Sequence, residues 1–172
     1  HPLCRRQRQM CIRDSIATNK NDVLHRLFSD DVYQKKETSA SLAPSMDISV
    51  ASNFERLLFE IYKKNGAKLS DTFSSFPAKS IDFNQSDEIW QEVKAFFQSS
   101  TCDDKEIVET IVKSFETENI LFDPHTATAI KGNKDLNLNP SELVTFATAH
   151  PAKFPDAINK ELDLSLIHIS EP

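Results

Sequence analysis

Apolar residues recur at helical spacing in three stretches of the chain. Phe54, Leu57, Leu58 and Ile61 follow at intervals of three and one, a pattern that lines one face of an α-helix. Ser52, with Glu55 three residues on, reads as a capping box opening this helix. The pattern carries it to about Asn65, with Gly66 as its stop. A second helix from Ser86 places Ile89, Trp90, Val93, Phe96 and Phe97 on one face. A third, from Asp103 or Asp104, turns Ile107, Val108, Ile111, Val112 and Phe115 inward. Two shorter helices complete the set. One covers Val23 to Phe28. The other opens at Asp123-Pro124, a cap followed by proline at the first helical position, and ends near Gly132.

The strand signal is weaker. The run 143–148, Leu-Val-Thr-Phe-Ala-Thr, reads as a buried strand. Pro151 then suits the start of a final helix, which places Thr148 at the carboxyl end of a strand feeding a helix. In open α/β sheets that is where ligands bind. Ile16 to Asp22 reads as the tail of another strand passing into polar residues. Residues 30–45 form a polar loop, and 68–84 are weakly patterned around Phe73, Phe76 and Phe83. Asn139-Pro-Ser-Glu is a turn. Helices outnumber strands, and one clear strand cannot form a sheet. The pattern therefore predicts either a helical domain with a stray strand or a helix-rich α/β fragment.

The two ends read differently from the rest. Met10 to Ser15 and Leu164 to Ile169 back-translate into strings that are reverse complements of each other. Ligated linker DNA produces such an inverted repeat, and the string resembles the transposon end used in sequencing adapters. Residues 1–15 and 164–172 are therefore expected to be non-native, and the domain to occupy 16–163. The arginines and cysteines of the first segment are set aside with it, as processing scars are.

Charge and composition narrow the function classes. The chain carries a formal charge of −6, and removing the arginine-rich start makes the remainder more acidic. That balance argues against nucleic-acid binding, which needs a basic footprint. No apolar stretch approaches the length of a membrane span. Within 16–163 one cysteine remains, Cys102, which excludes a disulfide framework and a cysteine zinc site there. A reducing, cytoplasmic setting is the expectation. The chain has only two glycines, Gly66 and Gly132. A loop that cradles phosphate through its backbone needs several, so any such cradle must come from elsewhere.

Each candidate for chemistry has a structural explanation beside it. Thr148 aims a hydroxyl at a ligand or is simply at home in a strand, and His150 is an adequate helix cap. Asp123 explains itself as a cap, while His125 in the first turn faces either a pocket or solvent. Asn19, Asn21 and Asp22 suit a turn, where such side chains bond nearby backbone. Asn53 and Arg56 lie at a helix start, where free N–H groups favour anions, or are ordinary surface residues. Cys102 has no histidine or basic neighbour to activate it. His25, His125 and His150 show no metal-ligand spacing.

Five motifs in order carry a family likeness: Ala17-Thr-Asn-Lys-Asn-Asp22, Pro44-Ser-Met-Asp-Ile-Ser49, Ser52-Asn-Phe-Glu-Arg-Leu-Leu-Phe59, Asp123-Pro-His-Thr-Ala127 and Thr148-Ala-His-Pro-Ala-Lys-Phe-Pro155. Together they resemble the C-terminal third of threonine synthase. The resemblance implies a pyridoxal-phosphate enzyme of fold type II, converting O-phospho-L-homoserine and water into L-threonine and phosphate. It implies that Thr148 donates a hydrogen bond to the pyridine nitrogen of the cofactor. Asn19, Ser49, Asn53 and Arg56 match the family motifs and are implied substrate-pocket residues. The family's Schiff-base lysine and Gly-rich loop lie in its N-terminal part. Lys20 and Lys153 do not stand in for that lysine, so this chain alone is expected to be inactive and to need the rest of the enzyme. Two rivals stay open: a phospho-lyase paralogue of the same fold, and a non-catalytic helical interaction module.

Overall fold

The computed structural model describes residues 13–83 and 88–155. Its elements are β1 (Asp14–Thr18), α1 (Val23–Asp30), β2 (Val32–Tyr33), α2 (Ser52–Ile61), α3 (Gly66–Thr72), β3 (Ile81–Asp82), α4 (Glu88–Lys94), β4 (Phe97–Thr101), α5 (Asp104–Glu118) and α6 (Pro124–Asp135). Short 3-10 turns cover Pro44–Met46, Pro140–Glu142 and Pro151–Lys153. The fold is mixed, helix-rich and poor in strands, as expected. β1 pairs with β4, and β2 pairs with β3 in antiparallel register, Val32 opposite Asp82 and Tyr33 opposite Ile81. Among the described residues no helix is long and apolar enough to cross a membrane.

The chain divides into two compact units. The first holds residues 13–16, 22–38, 48–83 and 88–99. Its core joins Val23, Leu27 and Phe28 of α1 to Phe54, Leu58 and Ile61 of α2 and to Trp90 and Val93 of α4. Aromatic rings dominate: Phe83 stacks on Trp90 with centroids 4.6 Å apart, and Tyr33 stacks on Phe76 at 5.0 Å. Offset and edge-on contacts of this kind stabilise a core beyond the area they bury. The weakly patterned stretch 68–84 thus supplies Phe73, Phe76 and Phe83 as packing around Tyr33 and Trp90. Asp31, at the left-handed position that ends α1 (φ 61°), accepts hydrogen bonds from the Trp90 indole at 2.7 Å and the Lys94 ammonium at 2.8 Å.

The second unit holds residues 17–21, 39–47 and 100–155. α5 and α6 pack on one another around Ile107, Ile111 and Ala127, with Cys102 and Ala43. Asp103 caps α5 in a capping box with Glu106, and Asp123 caps α6 by accepting from the N–H groups of His125 and Thr126. Both caps stand where the sequence pattern places them.

Other expectations are corrected. Ser52 is the first residue inside α2 and the cap position is Ala51, which has no side chain to cap with. Tyr33 instead fixes the backbone of the cap residue: its hydroxyl accepts the Ala51 N–H at 2.8 Å and donates to the Ala51 carbonyl at 3.3 Å. α2 ends at Ile61 rather than near Asn65. Lys63 and Lys64 take positive φ, and Asn65 caps a new helix that Gly66 begins. Phe97 lies on β4, not on the preceding helix, and Ile89 is exposed. The start of that helix at Ser86 lies outside the described residues. α6 runs through Gly132 to Asp135.

The largest correction concerns 143–148, which is not a strand. A strand exists through its neighbour's hydrogen bonds, and this segment has no pairing partner among the described residues. Val144 and Phe146 are accordingly 77 % exposed. The helix expected from Pro151 is, over the described residues, a single 3-10 turn.

Candidate functional site

Residues 39–47 have little regular structure, yet they are tied down at many points by polar side chains of their own unit. Asp47 is the hub. Its Oδ1 accepts from Asn19 Nδ2 at 2.7 Å, Asn21 Nδ2 at 2.7 Å and Ser41 Oγ at 2.6 Å, and its Oδ2 accepts from the Ser41 N–H at 3.0 Å. Hydrogen bonds to an ionised acceptor are the strong ones. Asn19, fully buried, also donates to Ser41 Oγ at 2.7 Å and accepts from the Asn21 N–H at 2.8 Å. Asn21 pairs with the backbone of Ser39 in both directions, at 2.8 and 2.9 Å. Lys20, between the two asparagines, reaches Asp104 at 2.7 Å, and Asp104 accepts the Leu42 N–H at 3.0 Å. Burial pushes the Asp104 carboxyl up, but Lys20 and the Leu42 N–H together outweigh it and hold it below its ordinary range.

The Asp-Pro-His-Thr motif is buried beside this loop. Asp123 is 1 % and His125 4 % exposed. Asp123 accepts from the His125 N–H and from His125 Nδ1, each at 2.9 Å, and from the Thr126 hydroxyl. On the other edge of the ring, Nε2 accepts the Ser45 N–H at 3.2 Å. A ring nitrogen that accepts carries no proton, so Nδ1 holds the hydrogen and donates it to Asp123. Phe154 lies against the ring with centroids 4.7 Å apart. His125 therefore faces neither an open pocket nor solvent.

The predicted site residues fall in different units. Asn19 and Thr148 belong to the second, and Ser49, Asn53 and Arg56 to the first. Asn19 spends both amide hydrogens inside the chain, so it acts as a clamp on the 39–47 loop. Asn53 and Arg56 are exposed on the first turns of α2, three residues apart and thus on one face. Ser49 is half-buried. Thr148 is exposed on the extended segment before the turn Pro151–Lys153, which His150 caps by accepting the Ala152 N–H at 3.2 Å. The hub residue Asp47 was missed in sequence. It lies within the Pro-Ser-Met-Asp-Ile-Ser motif, but nothing local shows that its partners lie at Asn19 and Asn21.

Two side chains that look chemical are structural. Cys102 is buried beside Glu106, and burial pushes its thiol up to about 12, the opposite of an activated nucleophile. Lys131 bonds Asp135 at 2.6 Å and Glu106 at 3.0 Å, and these two carboxylates raise its pKa.

Comparison with known proteins finds the same likeness in sequence and in fold. A family model described as threonine synthase, C-terminal, matches residues 126–168. The threonine synthase of Pseudomonas aeruginosa is 40% identical over 146 residues, covering 84% of this chain and 31% of that protein. Among solved structures, PLP-bound threonine synthase from Brucella melitensis aligns with a TM-score of 0.79 at 32% identity, over 88% of this chain and 32% of that one. Threonine synthase from yeast aligns with a TM-score of 0.81 at 30% identity, over 93% of this chain and 36% of that one. The chain is thus similar to threonine synthases over most of its own length and spans about a third of the length of those it matches.

Proposed function

We propose that this chain, as residues 16–163, is the C-terminal part of a threonine synthase that converts O-phospho-L-homoserine and water into L-threonine and phosphate, and that segments 1–15 and 164–172 are non-native. The observation that carries the function is the joint match of sequence and fold to threonine synthases over most of the chain. An independent helical interaction module would not share both.

Pyridoxal phosphate is the implied cofactor, and the chain fits one edge of it. Thr148 is an exposed hydroxyl on a segment whose end is fixed by a capped, proline-started turn. A hydroxyl suits the ring nitrogen as a neutral donor. The phosphate end has no match here, because Gly66 and Gly132 both lie in helices. The remainder of the enzyme must supply that cradle and the reactive lysine, so the chain alone is inactive. When bound, the cofactor supplies the electron sink for carbanion chemistry. This chain's part is to hold the ring edge through Thr148 and to favour the substrate's anionic group through Asn53 and Arg56 at the start of α2, with Ser49 nearby in sequence. Asn19 contributes by fixing the 39–47 loop. The buried thiol of Cys102 suits a reducing, cytoplasmic setting.

A chimaera tests the reading. Residues 16–163 replace the matching segment of the P. aeruginosa enzyme, and phosphate and threonine are both measured from O-phospho-L-homoserine. Threonine formation is expected. Thr148→Val should lower turnover by about tenfold or more, in line with the loss of a single electrostatic contact near the reacting centre. A chimaera that folds and binds cofactor but releases phosphate with a keto acid would replace this reading with the phospho-lyase one.

A further inference from the structure

His125 touches two short turns that are far apart in sequence. Its Nε2 edge receives the Ser45 N–H from the turn Pro44–Met46. Its ring packs against Phe154, the residue that ends the turn Pro151–Lys153, with centroids 4.7 Å apart and planes tilted by 55°. The Phe154 N–H closes that turn on the Pro151 carbonyl at 2.9 Å. Thr148 lies three residues before Pro151, with His150 capping the turn between them. A proline-started, side-chain-capped turn has few free torsions. Fixing Phe154 therefore restricts the segment that carries Thr148. The ring itself cannot swing, since Asp123 holds Nδ1 and is in turn bonded by the Thr126 hydroxyl.

We infer that His125 is a positioning residue, a bracket that holds the Pro44–Met46 turn through its Nε2 and the Thr148-bearing turn through the packing of its ring on Phe154. The imidazole suits the task because it combines an acceptor, a donor and a flat apolar face in one rigid side chain. Glutamine keeps a polar acceptor without the face, and phenylalanine keeps the face without the acceptor. The importance of this bracket for catalysis rests on the proposed role of Thr148. The bracket itself is a property of the chain and needs no cofactor to be detected.

The experiment uses the full 172-residue chain labelled with 15N and reads amide signals and hydrogen exchange. His125→Phe should expose the Ser45 amide, speeding its exchange by about tenfold, the change expected from losing one ordinary hydrogen bond. The signals of Thr148 to Phe154 should stay near their wild-type positions. His125→Gln should do the reverse, sparing Ser45 and shifting or broadening the signals from Thr148 to Phe154. Phe154→Ala should move the same signals as His125→Gln. The amide signal of Glu106, bonded to Asp103 at the start of α5 in the same unit, reports that each variant remains folded. If His125→Phe does not fold, His125→Gln and Phe154→Ala carry the test. Unmoved Thr148 signals in both of those variants would overturn the bracket. Failure of the chimaera with these signals behaving as expected would instead count against the proposed function and leave the bracket standing.

Discussion

Replacing Gly132 with alanine sets two effects against each other, and their sizes can be compared. Gly132 lies inside α6 with helical backbone. At such a site alanine is favoured over glycine by about 1 kcal/mol. The added Cβ, however, would point at β1 and β4. It would overlap the Ser100 hydroxyl and come 3.3 Å from the Ala17 Cβ and 3.5 Å from the Ser100 Cβ. Inserting a methyl into a filled space costs roughly 1–3 kcal/mol. The Ser100 hydroxyl is buried, with no hydrogen-bond partner to hold or release it. The expected net result is a loss of about 0–2 kcal/mol for Gly132→Ala. Ser100→Ala alone removes an unpaired buried hydroxyl and should be neutral or stabilising by up to about 1 kcal/mol. In that background the main overlap is gone. Gly132→Ala should then cost little, because the remaining carbon contacts are tight but tolerable. The pair should show a coupling of about 1–2 kcal/mol in a double-mutant cycle. Urea denaturation followed by far-UV circular dichroism reads this as a midpoint shift of about half a molar or more. An equal penalty for Gly132→Ala with and without the Ser100 hydroxyl would refute the close-approach argument. So would a Gly132→Ala single variant more stable than the parent.

Three further outcomes follow from the same contacts. Tyr33→Phe should destabilise the chain by about 1–3 kcal/mol, because it strips the Ala51 N–H of its buried acceptor; a urea midpoint equal to the parent's would contradict this. Asp47→Ala removes the shared acceptor of Asn19, Asn21 and Ser41, and should cost about 3 kcal/mol or more while speeding amide exchange across residues 39–47; unchanged exchange in that loop would count against the hub. Acid should weaken the second unit through Asp104 and Glu106, both held below their ordinary values of 3.8 and 4.5. Burial opposes the shift at Asp104 but is outweighed by Lys20 and the Leu42 N–H, while at Glu106 the Asp103 N–H and then Lys131 lower it. A carboxyl lowered on folding contributes stability above its unfolded value and loses it as pH falls through its folded one. The melting temperature should therefore drop as pH falls below about 4, and Asp104→Asn should flatten that drop.

The sequence by itself determined the features that short-range chemistry controls. Asp103 and Asp123 are legible as caps because a cap bonds backbone two or three residues away. Helical periodicity is a local geometric constraint, so Phe54, Leu58, Ile107 and Ile111 were placed correctly, whereas on α5 Val108, Val112 and Phe115 are only half-buried and Thr110 and Ser114 complete the buried face. The five ordered motifs were enough to point to the family. What sequence misjudged depended on partners far along the chain. Ser52 and Glu55 carry a good local capping signal, yet the backbone at Ala51 is held by Tyr33, and α2 starts one residue early as a result. The segment 143–148 has every local mark of a strand, but strand formation is decided by a neighbour, and the described residues offer none. Asn19 looked like a turn residue or a ligand contact. Only tertiary structure shows its amide committed to Asp47 and Ser41, more than twenty residues away. His125 could have faced a pocket or solvent by sequence. Its burial was decided when the chain brought two distant segments, at Ser45 and Phe154, around a ring that Asp123 holds locally.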